Sequence, residues 1–360
     1  MLFLSDREKS VWTDYAKEIL QNEAIPEEYT DKIRSNLQSA FYYYIGTMLA
    51  SEGQQERGEA WLHAGTLCEE EGLFSSTFLM GFLQRHHGKM NPPTVAFEDP
   101  RPYIHFSQVP FMVQARKQVI QQFIHSLPVF THPIRFMDIG CGDGGLTISL
   151  LSSLSESGKI PGFSEILLID SSPAMIALAK EQVGTAFPGV RITTENARIQ
   201  DCSSSIAHQY DIAMSSLAYH HMPVEDKRVH LTRLKPWIDH FLLFEMDANH
   251  DTPELYSPEL ALSVYQSYGK FIDMIFAYDA PVDLVIDCVD SFIMIELLSI
   301  LTKPRGVRTD YHMLRSEWND LFKNTLGPEF TLRSDSTCYG DEYLALFSMH
   351  YGREPSHPHK

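Results

Sequence analysis

The fold of this chain is decided by a ten-residue stretch, Met137-Asp138-Ile139-Gly140-Cys141-Gly142-Asp143-Gly144-Gly145-Leu146. The stretch follows the mostly apolar run Ile134 to Met137 and opens the helical pattern Leu146 to Leu154, so it predicts a strand, a glycine-rich turn and the start of a helix. Glycines adopt backbone angles, and allow a close approach, that a Cβ atom would prevent. Because the N–H groups at a helix N-terminus face an anionic group, the stretch predicts a turn that binds a ligand.

The glycines of this turn are compatible with two cofactors. The spacing Gly140-x-Gly142-x-x-Gly145 is the dinucleotide fingerprint, which predicts NAD and an oxidoreductase. Asp138 favours a different ligand, because a buried carboxylate is costly without a cationic partner and would repel a diphosphate. S-adenosylmethionine (SAM) carries an α-ammonium and a sulfonium, which provide that partner. We therefore predict SAM as the cofactor.

A second acidic segment supports this prediction. Asp170 follows the predicted strand Ile166 to Ile169 and lies 26 residues past Gly144, at a place where an acid accepts hydrogen bonds from ribose hydroxyls. The segment continues through Ser171 as Asp-x-Ser-x-x-Met, ending at Met175, a continuation that favours SAM over NAD. Together the two segments resemble the class I SAM-dependent methyltransferase family. Its acid-x-Gly-x-Gly-x-Gly motif is matched by Asp138, Gly140, Gly142 and Gly144.

The resemblance extends over residues 134–250. Glu195-Asn196-Ala197 follows the predicted strand Val190 to Thr194, where the family places a side chain that reaches the adenine amino group. The fourth predicted strand, Tyr210 to Met214, leads into Ser215 to Pro223, which is similar to the family's apolar-His-His-apolar-Pro segment. The resemblance implies an α/β fold with a seven-stranded Rossmann-like sheet. It also implies a cofactor site formed by Asp138, Gly140, Cys141, Gly142, Gly144, Asp170, Ser171, Met175, Asn196, Ala197 and Ser215.

The composition predicts a cytoplasmic enzyme with a sizeable core. Hydrophobic residues make up 44% of the 360 residues, no apolar run is long enough to span a bilayer, and Met1 to Lys9 lacks the apolar core of a signal peptide. The five cysteines show no Cys-x-x-Cys spacing, so we expect neither a disulfide framework nor a metal site. A formal net charge of −18 opposes a nucleic-acid partner.

Residues 1–93 predict a separate, all-helical domain. A period of 35 residues relates the glycines of this region, and the pattern resembles a tetratricopeptide-like helical hairpin. Such an array would serve as a cap on the enzyme, as the contact of a homodimer, or as a binding surface for a partner. The segments with helical apolar spacing are Asp6 to Gln21, Thr30 to Ser51, Gln54 to Glu71 and Ser75 to His86.

Residues 94–360 are expected to form the methyltransferase domain. Asn91-Pro92-Pro93 would end the helical array, and Thr94 to Phe106 predicts an extended linker that crosses the surface. The pattern Val109 to Leu127 predicts a helix that leads into the first strand. Methyltransferases of this class often place such a helix across the mouth of the cofactor site. The residues expected there to meet cofactor or substrate are Tyr103, His105, Phe111 and Arg116.

A helical insertion follows the fifth predicted strand, His240 to Glu245. Helical patterns at Pro258 to Ala280 and Val282 to Leu301 precede the last two strands and predict a lid over about residues 252–322. Because open α/β sheets bind ligands beyond the carboxyl ends of their strands, this lid would cover the substrate. Its many aromatic residues suit an apolar or aromatic acceptor. The predicted substrate contacts are Tyr103, Arg116, His220, Asn249, Tyr265 and Tyr268.

The segment Glu245 to Asp251 and the pair Tyr265-x-x-Tyr268 resemble the GRAS family of plant regulators. This resemblance implies the methyltransferase fold in a protein-interaction module that binds SAM without turnover, or binds no cofactor. Most members of that group lack the intact glycine motif, whereas this chain has it. We therefore favour an enzyme that is related to the group.

The predicted reaction transfers the sulfonium methyl group of SAM to an O or N atom of a small molecule. It is an in-line displacement, so the protein must align the acceptor and exclude water. A hydroxyl acceptor needs a general base within hydrogen-bond reach, and the candidates are His250, His221 and Glu245, near the ends of strands four and five. An amine or carboxylate acceptor needs no strong base, and the sequence leaves these alternatives open.

Overall fold

Seven strands form a single sheet in the computed structural model, which describes residues 1–90, 97–202, 206 and 208–354. The strands are β1 (Ile134–Ile139), β2 (Phe163–Asp170), β3 (Arg191–Asn196), β4 (Tyr210–Ser216), β5 (Ile238–Met246), β6 (Phe330–Gly340) and β7 (Ala345–Arg353). Their order is β3-β2-β1-β4-β5-β7-β6. The first five are parallel, and β7 is antiparallel to both neighbours. The predicted seven-stranded Rossmann-like sheet is confirmed.

Helices cover the sheet and form the N-terminal region and the insertion. They are α1 (Asp6–Gln21), α2 (Gln38–Ser51), α3 (Gln55–Thr66), α4 (Ser75–Arg85), α5 (Arg101–Gln108), α6 (Pro110–Ser126), α7 (Gly145–Glu156), α8 (Pro173–Ala186), α9 (Ile199–Cys202), α10 (Val224–Leu234), α11 (Pro258–Ala277), α12 (Val282–Cys288), α13 (Met294–Thr302) and α14 (Arg315–Leu326). A π-helical turn, Val289–Ile293, separates α12 from α13. In the part of the chain that the structure describes, no helix has the length and apolarity needed to cross a membrane.

The strand order reverses at β1, which places a binding crevice beside it. Ile139 at the end of β1 pairs with Ile169 of β2 on one side and with Ser215 of β4 on the other. The apolar side chains of β1 are fully buried because helices cover both faces of a parallel sheet. Ligands of open α/β sheets bind outside the carboxyl ends of the strands at such a reversal.

The N-terminal helices pack directly on the insertion. The rings of Tyr43 on α2 and Tyr265 on α11 are 5.4 Å apart, and the Tyr44 hydroxyl donates to the carbonyl of Tyr256 at 2.8 Å. The Ser75 hydroxyl donates to the Tyr265 carbonyl. Gly269 makes this contact possible, since a Cβ there would lie 1.9 Å from Ser75 Oγ. The boundary at residue 93 stays a prediction, because Asn91–Ala96 lies outside the described residues.

The structure corrects two of the predicted elements. The predicted linker Thr94 to Phe106 is wrong from Arg101 onward, where α5 begins. Pro102 stands in the first turn of α5, where a helix has no use for the missing N–H. The predicted helix Thr30 to Ser51 starts as two short 3₁₀ helices, and α2 begins only at Gln38 because Ile33 adopts an extended backbone.

Candidate functional site

The glycine turn after β1 forms one wall of a cavity. Gly140 and Gly142 have φ angles of 77° and 54°, which other residues adopt only with strain. The N–H of Gly142 donates to Asp170 Oδ2 at 3.0 Å. A Cβ on Gly142 would lie 2.7 Å from Tyr103 Oη. The turn is thus held against the end of β2, and its position facing Tyr103 admits only a glycine.

Asp170, at the end of β2, lines the cavity together with Ser171 and Met175. The N–H of Ser172 donates to its carboxylate at 2.9 Å, in addition to the bond from Gly142. Burial raises the pKa of Asp170, and the surrounding backbone N–H groups oppose that rise. This placement suits the predicted contact with ribose hydroxyls.

Asp138 is 2% exposed and lies in β1, outside the cavity lining. The Thr147 hydroxyl donates to Oδ2, whereas the buried Oδ1 has no hydrogen-bond partner among the described residues. Burial raises the pKa of this carboxyl to about 7. A buried acceptor that lacks a donor is expensive unless a ligand completes it. Asp138 therefore fits a cofactor that carries an ammonium group.

Gly144 and Cys141 were expected at the cofactor, but both lie outside the cavity lining. A Cβ on Gly144 would lie 2.9 Å from Val183 Cγ2 and 3.3 Å from Ala179, so this glycine lets α7 pack against α8. The Cys141 side chain is buried, and burial raises the pKa of its thiol well above the ordinary value. An inert, packed thiol is the role that this position supports.

Three other predicted cofactor residues, Asn196, Ala197 and Ser215, also lie outside the lining. Asn196 Nδ2 donates to the carbonyl of Asp170 at 3.0 Å. The Ser215 hydroxyl is buried and donates to the carbonyl of Ile139 at 3.1 Å, so the neighbouring Ser216 faces the cavity instead. These side chains connect adjacent strands at the edge of the site.

The cavity holds about 980 Å³ of space, including its opening to solvent, and extends from the glycine turn to α11, the π-helical turn and α13. Sites of this size accommodate ligands as large as common drugs and cofactors. The predicted site residues that line it are Tyr103, Arg116, Gly140, Gly142, Asp170, Ser171, Met175, His220, His221 and Tyr268. The lining residues that sequence reasoning missed are Phe97, Phe106, Ser216, Leu217, Ala218, Met246, Phe271, Phe292, Ile293, Glu296 and His312.

Aromatic rings form one side of the cavity. The ring of Phe106 lies 5.9 Å from that of Phe271 and 5.0 Å from that of Phe292. Tyr103 contacts Phe292 at 6.0 Å, and its hydroxyl accepts a hydrogen bond from Arg116 Nη2 at 3.0 Å. Arg116 Nε is buried without a partner in the described ranges, so the guanidinium retains a donor for a ligand.

Six ionisable side chains form what we call the polar cluster, four of which line the cavity. Within it, His220 Nδ1 donates to Glu245 Oε2 at 2.9 Å, and the Ala218 N–H donates to Glu245 Oε1 at 3.2 Å. Burial alone would raise the pKa of Glu245, but the charge and hydrogen bond of His220 lower it, so Glu245 is ionised. The polar cluster consists of His220, His221, Glu245, Glu296, Asp310 and His312.

A second ion pair in the polar cluster joins His221 to Asp310. His221 Nδ1 donates to Asp310 Oδ1 at 2.7 Å. Burial opposes the charged imidazole, but Asp310 raises the pKa of His221 to about 9 and has its own pKa lowered by the contact. The nearby Glu296 accepts from the Tyr268 hydroxyl at 3.0 Å, and burial together with Asp310 raises its pKa to about 7.

Three residues that were expected to bind or activate the substrate lie behind the cavity wall. His250 is buried with Nδ1 3.1 Å from His312 Nδ1, and burial lowers its pKa to about 3. His312 thus stands at the cavity in its place. Tyr265 packs on Tyr43, and Asn249 also lies outside the lining. Glu245 is also outside the lining and contacts His220, which lines the cavity. Neither His250 nor Glu245 therefore lies where a general base would meet the acceptor.

Comparison with known proteins gives a family match for part of the chain and a shared fold. Residues 136–238 match the family described as Methyltransferase domain. The solved structure of SCL7 in Oryza sativa is 15% identical and covers 81% of this chain and 93% of that chain with a TM-score of 0.58, which shows a shared fold. No curated protein matches the chain.

Two solved methyltransferase structures with bound S-adenosylhomocysteine (SAH) also align with the chain. Magnesium protoporphyrin IX methyltransferase (ChlM) from Synechocystis PCC 6803 is 14% identical and covers 78% of this chain and 96% of its own, with a TM-score of 0.41. The plantazolicin methyltransferase BpumL is 14% identical and covers 72% and 92%, with a TM-score of 0.42. These low scores support no conclusion about the site. Residues 136–238 thus match a methyltransferase domain in sequence, and the seven-stranded sheet has the Rossmann-like fold of such domains, whose cofactor is SAM.

Proposed function

We propose that this protein methylates a small molecule whose body is apolar or aromatic, at a hydroxyl or amine. One observation carries the proposal: a single cavity joins the glycine turn and Asp170 to an aromatic wall and to the polar cluster. When bound, SAM supplies the electrophilic methyl group. The acceptor atom forms its bond to that carbon while the bond to sulfur breaks, and the electron pair remains on sulfur.

The aromatic wall supports an acceptor of this kind. Phe106, Phe271 and Phe292 offer ring faces and edges to an apolar body, and burying such a body contributes roughly 25 cal/mol per Å². Arg116 retains an unpartnered Nε among the described residues, which suits an anionic or carbonyl group on the same molecule.

The polar cluster supports a protic acceptor group. Glu245 holds the proton of His220 on Nδ1, so Nε2 carries a lone pair beside the cavity. His312 stacks on His220 with ring centroids 4.1 Å apart, and burial lowers its pKa well below the ordinary value, so it is neutral. Without a metal ion, Nε2 of His220 is the atom on which activation of an acceptor hydroxyl depends; with an ion bound to it, the activation passes through the ion.

A second function deserves a test because the fold is shared with SCL7. In that alternative the chain is an interaction module that binds SAM without turnover. The intact glycine turn and the continuous cavity favour an enzyme, although a fold by itself does not establish chemistry.

Calorimetric titration of the purified chain with SAM, SAH and NAD tests the proposal. We expect selective binding of SAM and SAH, strongly weakened in Asp170→Ala. Asp211→Ala is the matched control. It removes a carboxylate at the opposite, N-terminal end of the parallel strands, and the variant should bind SAM normally. Methyl-labelled SAM with panels of hydroxylated and amino aromatic compounds would then identify the acceptor. Binding without transfer to any panel would favour the interaction module that binds SAM. A folded protein that binds none of the three would refute the enzyme and favour an interaction module without a cofactor.

A further inference from the structure

Part of the polar cluster has the arrangement of a metal site. His220, His221, Glu296 and Asp310 each offer a ligand atom within 4.8 Å of the others. The ligands of a tetrahedral Zn²⁺ ion, each at about 2.0–2.2 Å, stand roughly 3.4 Å apart, so side-chain adjustments of about 1 Å would close the group around one ion. We propose that three of these residues, His220, His221 and Glu296, bind a divalent transition-metal ion at the cavity wall, while Asp310 holds the ring of His221.

The orientation of the two histidines supports this proposal. His220 Nδ1 donates to Glu245 at 2.9 Å, and His221 Nδ1 donates to Asp310 at 2.7 Å. In metalloproteins a ligating histidine commonly donates its other N–H to a carboxylate, which fixes the tautomer and the ring orientation. Nε2 of His220 is therefore left for a ligand, and Nε2 of His221 becomes a ligand once the ion displaces its proton.

An unpartnered buried nitrogen is the independent observation that points to a ligand. His220 is 4% exposed and lines the cavity, yet its Nε2 has no hydrogen-bond partner within the described ranges. A buried polar atom of this kind carries a desolvation cost of about 1–3 kcal/mol unless it is completed. A metal ion at Nε2 would complete it.

The donor set indicates the class of ion and the role of each residue. We assign His220, His221 and Glu296 as ligands, with Glu245 and Asp310 as the carboxylates that orient the histidines. Two imidazoles and one carboxylate suit Zn²⁺, Fe²⁺ or Mn²⁺ better than Mg²⁺, which prefers oxygen ligands. Three protein ligands leave a coordination position open for a substrate.

The open position gives the ion a role in methyl transfer, and this step rests on the proposed function. A hydroxyl bound there loses its proton more readily, because the ion stabilises the alkoxide or phenolate. The proton leaves to solvent, and the oxygen then attacks the methyl carbon. His221 and Glu296 are half-buried in the lining of the cavity that also contains the aromatic wall. The acceptor class is therefore an apolar or aromatic molecule that carries a metal-binding hydroxyl.

Metal titration of the full-length chain after chelator treatment tests the site without any turnover. We expect one Zn²⁺ per chain by calorimetry, and a Co²⁺ visible spectrum that reports nitrogen and oxygen ligands. Glu296→Gln and His220→Ala should lower the affinity by at least roughly 100-fold, and Glu245→Gln by roughly 10- to 100-fold, as loss of an orienting carboxylate does.

His240→Ala is the matched control. His240 stands near the N-terminal end of β5, away from the polar cluster. Its Nδ1 lies 2.9 Å from Nε2 of another histidine, His350. Its removal should leave metal affinity unchanged. Circular dichroism and SAM titration on each variant separate the loss of a ligand from misfolding.

The outcomes distinguish the two proposals. A wild-type chain that is folded and binds SAM but takes up no ion, or that binds the ion equally well in Glu296→Gln and His220→Ala, would overturn the metal site. A chain that binds the ion at this site but binds no SAM would leave the site standing and refute the proposed function.

Discussion

Arg85 on α4 forms a two-point ion pair with Asp290 in the π-helical turn, with Nε 2.8 Å from Oδ2 and Nη2 2.7 Å from Oδ1. His86 Nε2 lies 3.1 Å from the same carboxylate. The π-helical turn also contributes Phe292 and Ile293 to the cavity lining, and turns of this type are frequent at functional sites. A charge-assisted contact therefore connects the N-terminal helices to the cavity wall.

Arg85→Ala should weaken both stability and ligand binding. It leaves the mostly buried Asp290 with only His86, so we expect a loss of about 1–2 kcal/mol in the free energy of unfolding, reduced by solvent at the half-exposed guanidinium. Urea unfolding and SAM titration measure the two effects. Arg57→Ala removes bonds to Ile19 and Asn22 within the N-terminal helices and should lower stability alone. Equal SAM affinity in both variants would show that the Arg85 contact is purely structural.

Two glycines of the turn should respond differently to substitution by alanine. Gly142→Ala should abolish detectable SAM binding, because the added Cβ would displace Tyr103 at the cavity. Gly144→Ala should instead lower the free energy of unfolding by about 2–4 kcal/mol, from positive-φ strain and the clash with Val183. Gly189→Ala has φ of 85° with open space around it and measures the cost of strain alone. The assignment fails if Gly144→Ala loses SAM affinity while keeping its stability.

Asp138→Ala should abolish SAM binding while leaving the fold intact, because it removes the buried acceptor that a cationic ligand completes. In the wild type, SAM affinity should rise with pH through about 7, since a cation prefers the ionised carboxylate. Asp138→Asn should remove that dependence. Thr147→Val keeps the carboxylate and removes only its hydroxyl donor. Thr147→Val should still bind SAM at high pH; if Asp138→Asn binds SAM as tightly as the wild type, the charge of Asp138 has no part in cofactor binding.

The His221–Asp310 pair predicts a pH-dependent stability of the metal-free protein. The pKa of His221 is raised from 6.5 to about 9, so its contribution is fully present below about 6.5 and is lost as the pH rises through about 9. Urea unfolding across this window, in chelator, should show a falling free energy of unfolding. In His221→Gln the free energy of unfolding should decrease less over this pH range. His132→Gln, at the opposite end of the parallel strands, should behave like the wild type. An unchanged slope in His221→Gln would contradict the pairing.

Much of the fold was predictable because it depends on local patterns. The strands from β1 to β5 and the helices around them follow from apolar runs and turn residues that are close in sequence. The first turn of α5 is an exception. Pro100 and Pro102 predicted an extended linker, but α5 begins at Arg101 and Pro102 stands in its first turn. The π-helical turn inside the predicted helix Val282 to Leu301 has no signal in the apolar spacing of that segment.

The site was predictable only where it lies on the glycine turn and at the end of β2. Gly144 shows the limit: it matches the motif, yet its neighbours on α8 give it a packing role. His250 matches the GRAS segment, but the fold places His312 at the cavity in front of it. Phe271 stands in the aromatic run of the insertion, and no periodicity distinguished it from Tyr265, which faces the N-terminal helices.

The sequence by itself determined the sheet, the turn and the cofactor, because alternation of apolar residues, glycine angles and a strand-end acid act over a few neighbouring residues. Only the tertiary structure decided the polar cluster and the aromatic wall. His221 and Asp310 are 89 residues apart along the chain, and Glu296 lies on a third element. Spacing rules find ligands on one helix or one turn, whereas these side chains meet because the insertion folds back over the carboxyl ends of β4 and β5 and removes them from water together.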